Sequence, residues 1–331
     1  MNARKELIQR LAIKRRRKLG ELSDEAFGEL EIAVREDPLK FIDDNEEDAF
    51  LLVAKALERH DESRQNDDLL DDDQYAQARK QRLKALLAAS KQALAIDESC
   101  LDARLLGILA SDHAQEETFG ELLALHEETT RDLGEIPMSA AGDAWADVFV
   151  RPRLRLQAAL ARTAINTARF RKAQDFCLDL LTRAPLDVLG ARFTCALAMA
   201  RLEDEDGFDW LDAREGRRGN AWFHLGRAIL MYKLGRMPAA RRALRGYDRL
   251  CTGGAYLILQ PMYVDAYLPD RPVFESGSFE ESLLCTHEAD PIISDIPDFP
   301  AWASAQTGFL ASAQSFCKRN GFEWRDWNEQ L

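Results

Sequence analysis

Arginine placement offers the most chemistry in this sequence. Arg241, Arg245 and Arg249 recur every fourth position, which on a helix puts three guanidinium groups on one face. Residues 214 to 249 together hold ten bases and two acids. Planar guanidinium forks take carboxylates through paired charge-assisted hydrogen bonds. On the second helix of a hairpin such a face lies on the outer surface and suits water or the chain's own residues 43 to 73, which carry thirteen acids against three bases. Lys14-Arg15-Arg16-Arg17-Lys18 offers RNA, an anionic membrane or an acidic protein patch a similar contact. As the charged end of an exposed amino-terminal helix it needs none of them.

Catalytic signatures are missing. Gly216-Arg217-Arg218-Gly219 and Gly253-Gly254 lack the spacing and strand context that cradle a nucleotide. His126-Glu127-Glu128 begins like a metalloprotease helix, but Thr130 stands where the second histidine ligand belongs. Asp67-Asp68-Leu69-Leu70-Asp71-Asp72-Asp73 lacks the alternating acids and central glycine of a calcium loop and suits a solvated linker. Gly277-Ser278 lacks the flanking glycines of a nucleophile elbow. Five histidines are dispersed, and six cysteines show no Cys-x-x-Cys pair, so they read as buried thiols of a reducing compartment. No catalytic residue, cofactor or metal is expected.

A length of 331 residues and 46% hydrophobic content support a continuous core, as two domains or one elongated array. A net charge of −13 opposes general nucleic-acid binding. Residues 1 to 20 lack the apolar stretch of a secretory signal, and no apolar run reaches the roughly 18 residues that span a bilayer. A cytoplasmic protein is the default expectation.

The elements that must position these residues are helices. Ser23 and Asp24 precede Ala26, Phe27, Leu30, Ala33 and Val34 at helical spacing, and Asp37-Pro38 ends that run. Ala49, Leu52, Val53, Ala56 and Leu57 mark a second helix ending near His60. Residues 85 to 94 and 101 to 109 read as two helices joined by a tight turn. The small residues Ala88, Ala89, Ala93, Ala103 and Gly107 permit close approach. Six prolines between 261 and 300 predict an irregular segment and rule out long helices across much of it. A capping helix follows from about Pro300 to Arg319, then a tail with Trp324 and Trp327.

Ala161, Ala173 and Pro185 occupy the small, small and terminal-proline positions of a tetratricopeptide repeat, which this segment resembles. Trp222, Leu225 and Gly226 match the opening of another repeat, and Leu234-Gly235-Arg236-Met237-Pro238-Ala239-Ala240 its inter-helix turn. Ala173 and Ala240 lie 67 residues apart, close to two periods of about 34, so a degenerate repeat belongs between them. Residues 188 to 202 supply its first helix, and Gly207-Phe208-Asp209-Trp210-Leu211 begin its second. The ending, with Ala255-Tyr256-Leu257 and residues 275 to 282, is similar to the repeat region of the suppression-of-tumorigenicity-7 family over roughly residues 150 to 302. That resemblance implies repeats with a family-specific end and supplies no chemistry.

First helices of tetratricopeptide arrays line a concave groove. Aligned on Ala161 and Trp222, the resemblance implies a groove carrying Arg155, Arg162, Asn166, Arg192, Asn220, Phe223 and Arg227. Arginine forks and asparagine amides there would take an acidic or carboxyl-terminal peptide.

The fold expected is an all-α, tetratricopeptide-like α-solenoid of helical hairpins with an irregular proline-rich segment and a C-terminal capping helix. A charged helical segment with an acidic linker spans 1–74, a hairpin region 75–150, the repeats 151–260, and the proline-rich segment with its cap 261–331. A non-catalytic protein-binding scaffold is the function expected. The alternatives are an enzyme with a site around Asp265, Tyr267, Arg271 and His287, and a nucleic-acid-associated repeat protein using Lys14 to Lys18 and residues 214 to 249.

Overall fold

Helices account for every regular element of the computed structural model, which describes residues 3–325 apart from Asn66, residues 139–141, Arg218 and Ala266. Sixteen α-helices and three 3-10 turns are present among the described residues, with no strand. No helix there is long and apolar enough to cross a membrane. Arg218 and Trp327, both noted in the sequence, lie outside the described residues.

The chain forms two compact units. The first comprises Met1–Ala159, Arg183–Leu186 and Leu268–Arg271; the second comprises Leu160–Thr182, Asp187–Tyr267 and Pro272–Leu331.

In the first unit, α1 (Ala3–Leu19) packs against α2 (Asp24–Glu36) and α3 (Asn45–Ser63). Leu7, Ile8, Leu11 and Ala12 of α1 meet Val34 and Phe50 in one apolar cluster. Ser23 caps α2 by accepting from Ala26 N, and the helix stops before Asp37-Pro38 as the residue types require. The acidic run expected to be a linker instead forms a 3-10 turn, Asp67–Leu69, and the start of α4 (Asp72–Ile96). Asp71 and Gln74 cap α4 reciprocally, and Asp72 and Asp73 fall in its first turn, where the helix dipole favours negative charge.

From α4 the chain turns through Asp97 into α5 (Leu101–Ala110), which packs on α4 and on α6 (Gln115–Leu133). Ala93 and Ala103 have no exposed surface. A Cβ at Gly107 would lie 2.7 Å from Ser90 Oγ, so the small residues do bring α4 and α5 together. α7 (Arg151–Asn166) begins in the first unit and ends in the second.

The second unit continues with α8 (Phe170–Arg183), α9 (Ala191–Leu202), α10 (Glu205–Arg214), α11 (Ala221–Lys233) and α12 (Met237–Leu250). α9 packs on α10, α11 on α12, and α9 on α11. α9 and α11 are buried along most of their length, so neither shows the one-sided pattern of a surface helix. α13 (Gly254–Leu259) follows Gly253 directly. A Cβ on Gly253 would meet Phe279 at 2.7 Å and Phe316 at 2.8 Å, and one on Gly254 would meet Tyr247 at 2.7 Å. The glycine pair therefore serves close packing.

Two expectations fail beyond residue 260. The proline-rich segment contains α14 (Phe279–Ser294), sixteen residues long with Pro291 inside it. Pro291 stands near the helix end, where losing one backbone hydrogen bond leaves the preceding turns intact. The single capping helix is in fact two, α15 (Asp298–Ser304) and α16 (Phe309–Asn320), separated at Gly308 with φ 83°. α14 packs against α9, α11 and α13.

Candidate functional site

The structure scatters the seven residues expected to line a groove. Arg155 has 0% exposure. Its Nε and Nη2 donate to Asp102 at 3.0 and 2.9 Å, and its Nη1 and Nη2 donate to Glu6 at 3.0 and 2.9 Å. A buried guanidinium engaged by two carboxylates offers nothing to a peptide, so Arg155 leaves the binding set.

Phe223 is buried edge-on to Phe208, with ring centroids 5.6 Å apart. Asn220 caps α11, its side-chain oxygen accepting from Phe223 N at 3.1 Å. Asp187, itself buried, accepts from the backbone N–H groups of Ala191 and Arg192 at the start of α9. It also takes Arg192 Nη1 at 3.0 Å, and Arg192 Nε lies 3.5 Å from Glu215. Arg227 bonds Asp209, lies 3.3 Å from Asp212, and covers the Phe208 ring at 4.4 Å. Arg162 stacks 4.8 Å over Tyr267, and Asn166 is exposed at the end of α7.

Glu288 of α14 draws several of the sequence candidates together. Trp222 Nε1 donates to Glu288 Oε2 at 2.7 Å, and the Tyr267 hydroxyl donates to Oε1. Phe193 stacks on Trp222 at 4.3 Å. Tyr263 stands edge-on to His287 at 6.5 Å and donates to Asp265 at 3.4 Å. Burial pushes the His287 imidazole below its ordinary pKa, against the pull of Glu288 and Asp290. Asp265, Tyr267 and His287 therefore share this region, whereas Arg271 belongs to the first unit. A carboxylate accepting on both oxygens from Trp222 and Tyr267 is fixed as an acceptor, an arrangement that fastens α14 to α11.

α12 is different. Its inner residues Ala240, Leu244 and Tyr247 are buried, and the Tyr247 hydroxyl meets Thr286 Oγ1 at 3.0 Å. Its outer face presents Arg241, Arg242, Arg245 and Arg249, all exposed, with no ion pair or hydrogen bond from these side chains among the described residues. Asp248, the one acid of α12, accepts from Ser312 Oγ at 2.7 Å. The four-residue spacing in the sequence announced this face.

The basic end of α1, by contrast, is already used. Lys14 Nζ lies 2.9, 2.6 and 2.9 Å from carboxylate oxygens of Asp44, Glu46 and Glu47. These three acids come close enough to share a metal ion, and the Lys14 ammonium is the cation among them. Burial lowers the Lys14 pKa, but the hydrogen bonds its ammonium donates to Glu46, Asp44 and Glu47 outweigh it and hold the value above the ordinary one. Arg10 donates to Glu47 at 2.9 Å and Glu46 at 2.8 Å, and Lys18 pairs with Asp43 at 2.6 Å. Arg16 and Arg17 cover the rings of Phe27 and Phe149. Sequence reasoning treated this basic run as solvated because the carboxylates of Asp43, Asp44 and Glu46 bonded to Lys18 and Lys14 lie 25 to 32 residues away.

Two further features belong to the first unit. His113, Glu117 and Glu121 form a largely exposed cluster, with His113 Nδ1 3.2 Å from a Glu121 carboxylate oxygen. A cleft of about 480 Å³ is lined by Glu98, Arg104, Glu128 and Asp132 among others, with Arg104 and Glu128 joined by two bonds of 2.7 and 2.6 Å.

No known protein-family model matches this chain, and neither a curated protein nor a solved structure does.

Proposed function

We propose that this chain is a non-catalytic protein-binding scaffold built on tetratricopeptide-like helical hairpins. The outward face of α12 carries the reading: Arg241, Arg242, Arg245 and Arg249 are exposed and unmatched among the described residues. Arg10, Arg104, Arg155, Arg192, Arg227 and Arg236 each sit on a carboxylate of the same chain. In a chain of net charge −13, arginines concentrated on one helix without partners among the described residues are the surface best suited to a partner in trans.

The order of α9 with α10 and α11 with α12, with α9 against α11, supports the hairpin-repeat reading. On the first-helix side, Arg162, Asn166, Arg192 and Arg227 form a second candidate set for an acidic or carboxyl-terminal peptide. They rank below α12, because Arg192 and Arg227 must first exchange their own carboxylates. An acid–base enzyme around His287 ranks lower still, since Glu288 is held by two donors as an acceptor.

The test compares proteins cross-linked in cells to the full chain and to an R241E/R245E/R249E variant, quantified by mass spectrometry. Loss of the recovered proteins from the variant supports the scaffold with α12 as its face. Identical recovery from both overturns it.

A further inference from the structure

Resting on the reading of α12 as a binding face, we propose that Arg241, Arg245 and Arg249 dock an acidic helix of a partner protein. That helix would carry carboxylates at every fourth residue, with Arg242 gripping its flank. Four residues of α12 rise about 6 Å, so the guanidinium groups repeat at about that interval. Carboxylates at i, i+4 and i+8 of a second helix repeat at the same rise and stay in register along the whole stripe. Same-face residues of an extended strand recur at about 6.8 Å and drift out of step.

The residue types point the same way. The basic residues of α12 are Arg241, Arg242, Arg245 and Arg249, with no lysine. Guanidinium forks bind carboxylates in pairs, which rewards a fixed partner geometry that a lysine ammonium does not. Asp248 is taken by Ser312, so it does not compete. Leu250, 58% exposed beside Arg249, adds an apolar contact at the end of the stripe.

Other anionic partners fit less well. Nucleic acid would find no ring to stack on, because the one aromatic residue of α12, Tyr247, has no exposed surface. The chain's net charge of −13 also opposes a long polyanion more than a short segment screened beyond the stripe. A membrane-surface helix needs a free apolar face, and Ala240, Leu244 and Tyr247 are committed to the core.

The experiment is fluorescence anisotropy on the full chain with four probes: a capped helical peptide with glutamate at every fourth position, a peptide of equal composition with its glutamates contiguous, a single-stranded RNA, and phosphatidylserine vesicles. The spaced peptide should bind more tightly than the contiguous one, lose about tenfold or more in affinity on R241E/R245E, and weaken with salt. R241K/R245K should bind it with intermediate affinity, since charge is kept and the fork is lost. Thermal unfolding of each variant confirms that the fold is unchanged. Tighter binding of RNA or vesicles, abolished by R241E/R245E, would overturn the acidic-helix partner. If cross-linked proteins vanish from the charge-reversed chain while the two peptides bind alike or not at all, the helix assignment falls and the scaffold reading stands. If neither measurement responds to charge reversal, both fall.

Discussion

Arg155 and Asp102 meet through two N–H···O bonds of 3.0 and 2.9 Å in the interior of the first unit, and the same guanidinium holds Glu6. Replacing Arg155 by alanine leaves two buried carboxylates without their shared cation. The expected loss is about 3–5 kcal/mol, read as a lower urea midpoint.

The two acids of this group differ in what they contribute. Burial raises the Glu6 pKa, but Arg155, Arg151 and Arg10 outweigh it and hold the carboxyl below its ordinary value of 4.5. Asp102 is fully buried and shares its cation with Glu6, so burial keeps its pKa raised. Stability from Glu6 is present above the unfolded value and is lost as pH falls through the folded one; Asp102 works in the opposite sense. Glu6→Gln should therefore cost more at neutral pH than Asp102→Asn and should blunt the acid-side loss. Urea midpoints measured between about pH 7 and pH 3 check both.

Gly253 and Gly235 both have positive φ, 73° and 69°, but a Cβ at Gly235 enters open space while one at Gly253 strikes Phe279 and Phe316. Gly235→Ala should cost about 1–2 kcal/mol from backbone conformation. Gly253→Ala should cost about 2–4 kcal/mol, because overpacking adds to it. Thermal unfolding of the pair isolates the packing contribution.

All six cysteine side chains are buried, and burial pushes Cys100 and Cys251 up to about 12. A thiol reagent at mildly alkaline pH should label the native chain slowly and release all six equivalents on unfolding. Rapid labelling of Cys100 or Cys251 in the native state would contradict their burial.

Single alanine replacements at Arg241, Arg242, Arg245 and Arg249 should shift stability by no more than about 0.5 kcal/mol, because each side chain is exposed and unmatched among the described residues. Differential scanning calorimetry provides the comparison.

Local patterns made much of the fold readable. Ser23 announced the start of α2, Gly107 and Ala103 the close approach of α4 and α5, and the arginine spacing the outer face of α12. What escaped depended on distant partners. Arg155 occupied a position that the repeat pattern assigns to a groove, while the carboxylates that bury it lie 53 and 149 residues away. The α1 bases looked solvated for the same reason. Pro291 and Gly308 misled in opposite directions: the proline sits late enough in α14 to be tolerated, and the glycine breaks what periodicity presented as one helix.

The separation of Glu6 from Arg155 by 149 residues also bears on how the chain is made. The amino-terminal helix leaves the ribosome long before the guanidinium that neutralises its carboxylate. At roughly 5–20 residues per second the delay lasts several seconds or more. Leu268–Arg271, the last piece of the same unit, arrives later still. The first unit is thus a late finisher during synthesis, with its earliest residues waiting on some of its latest.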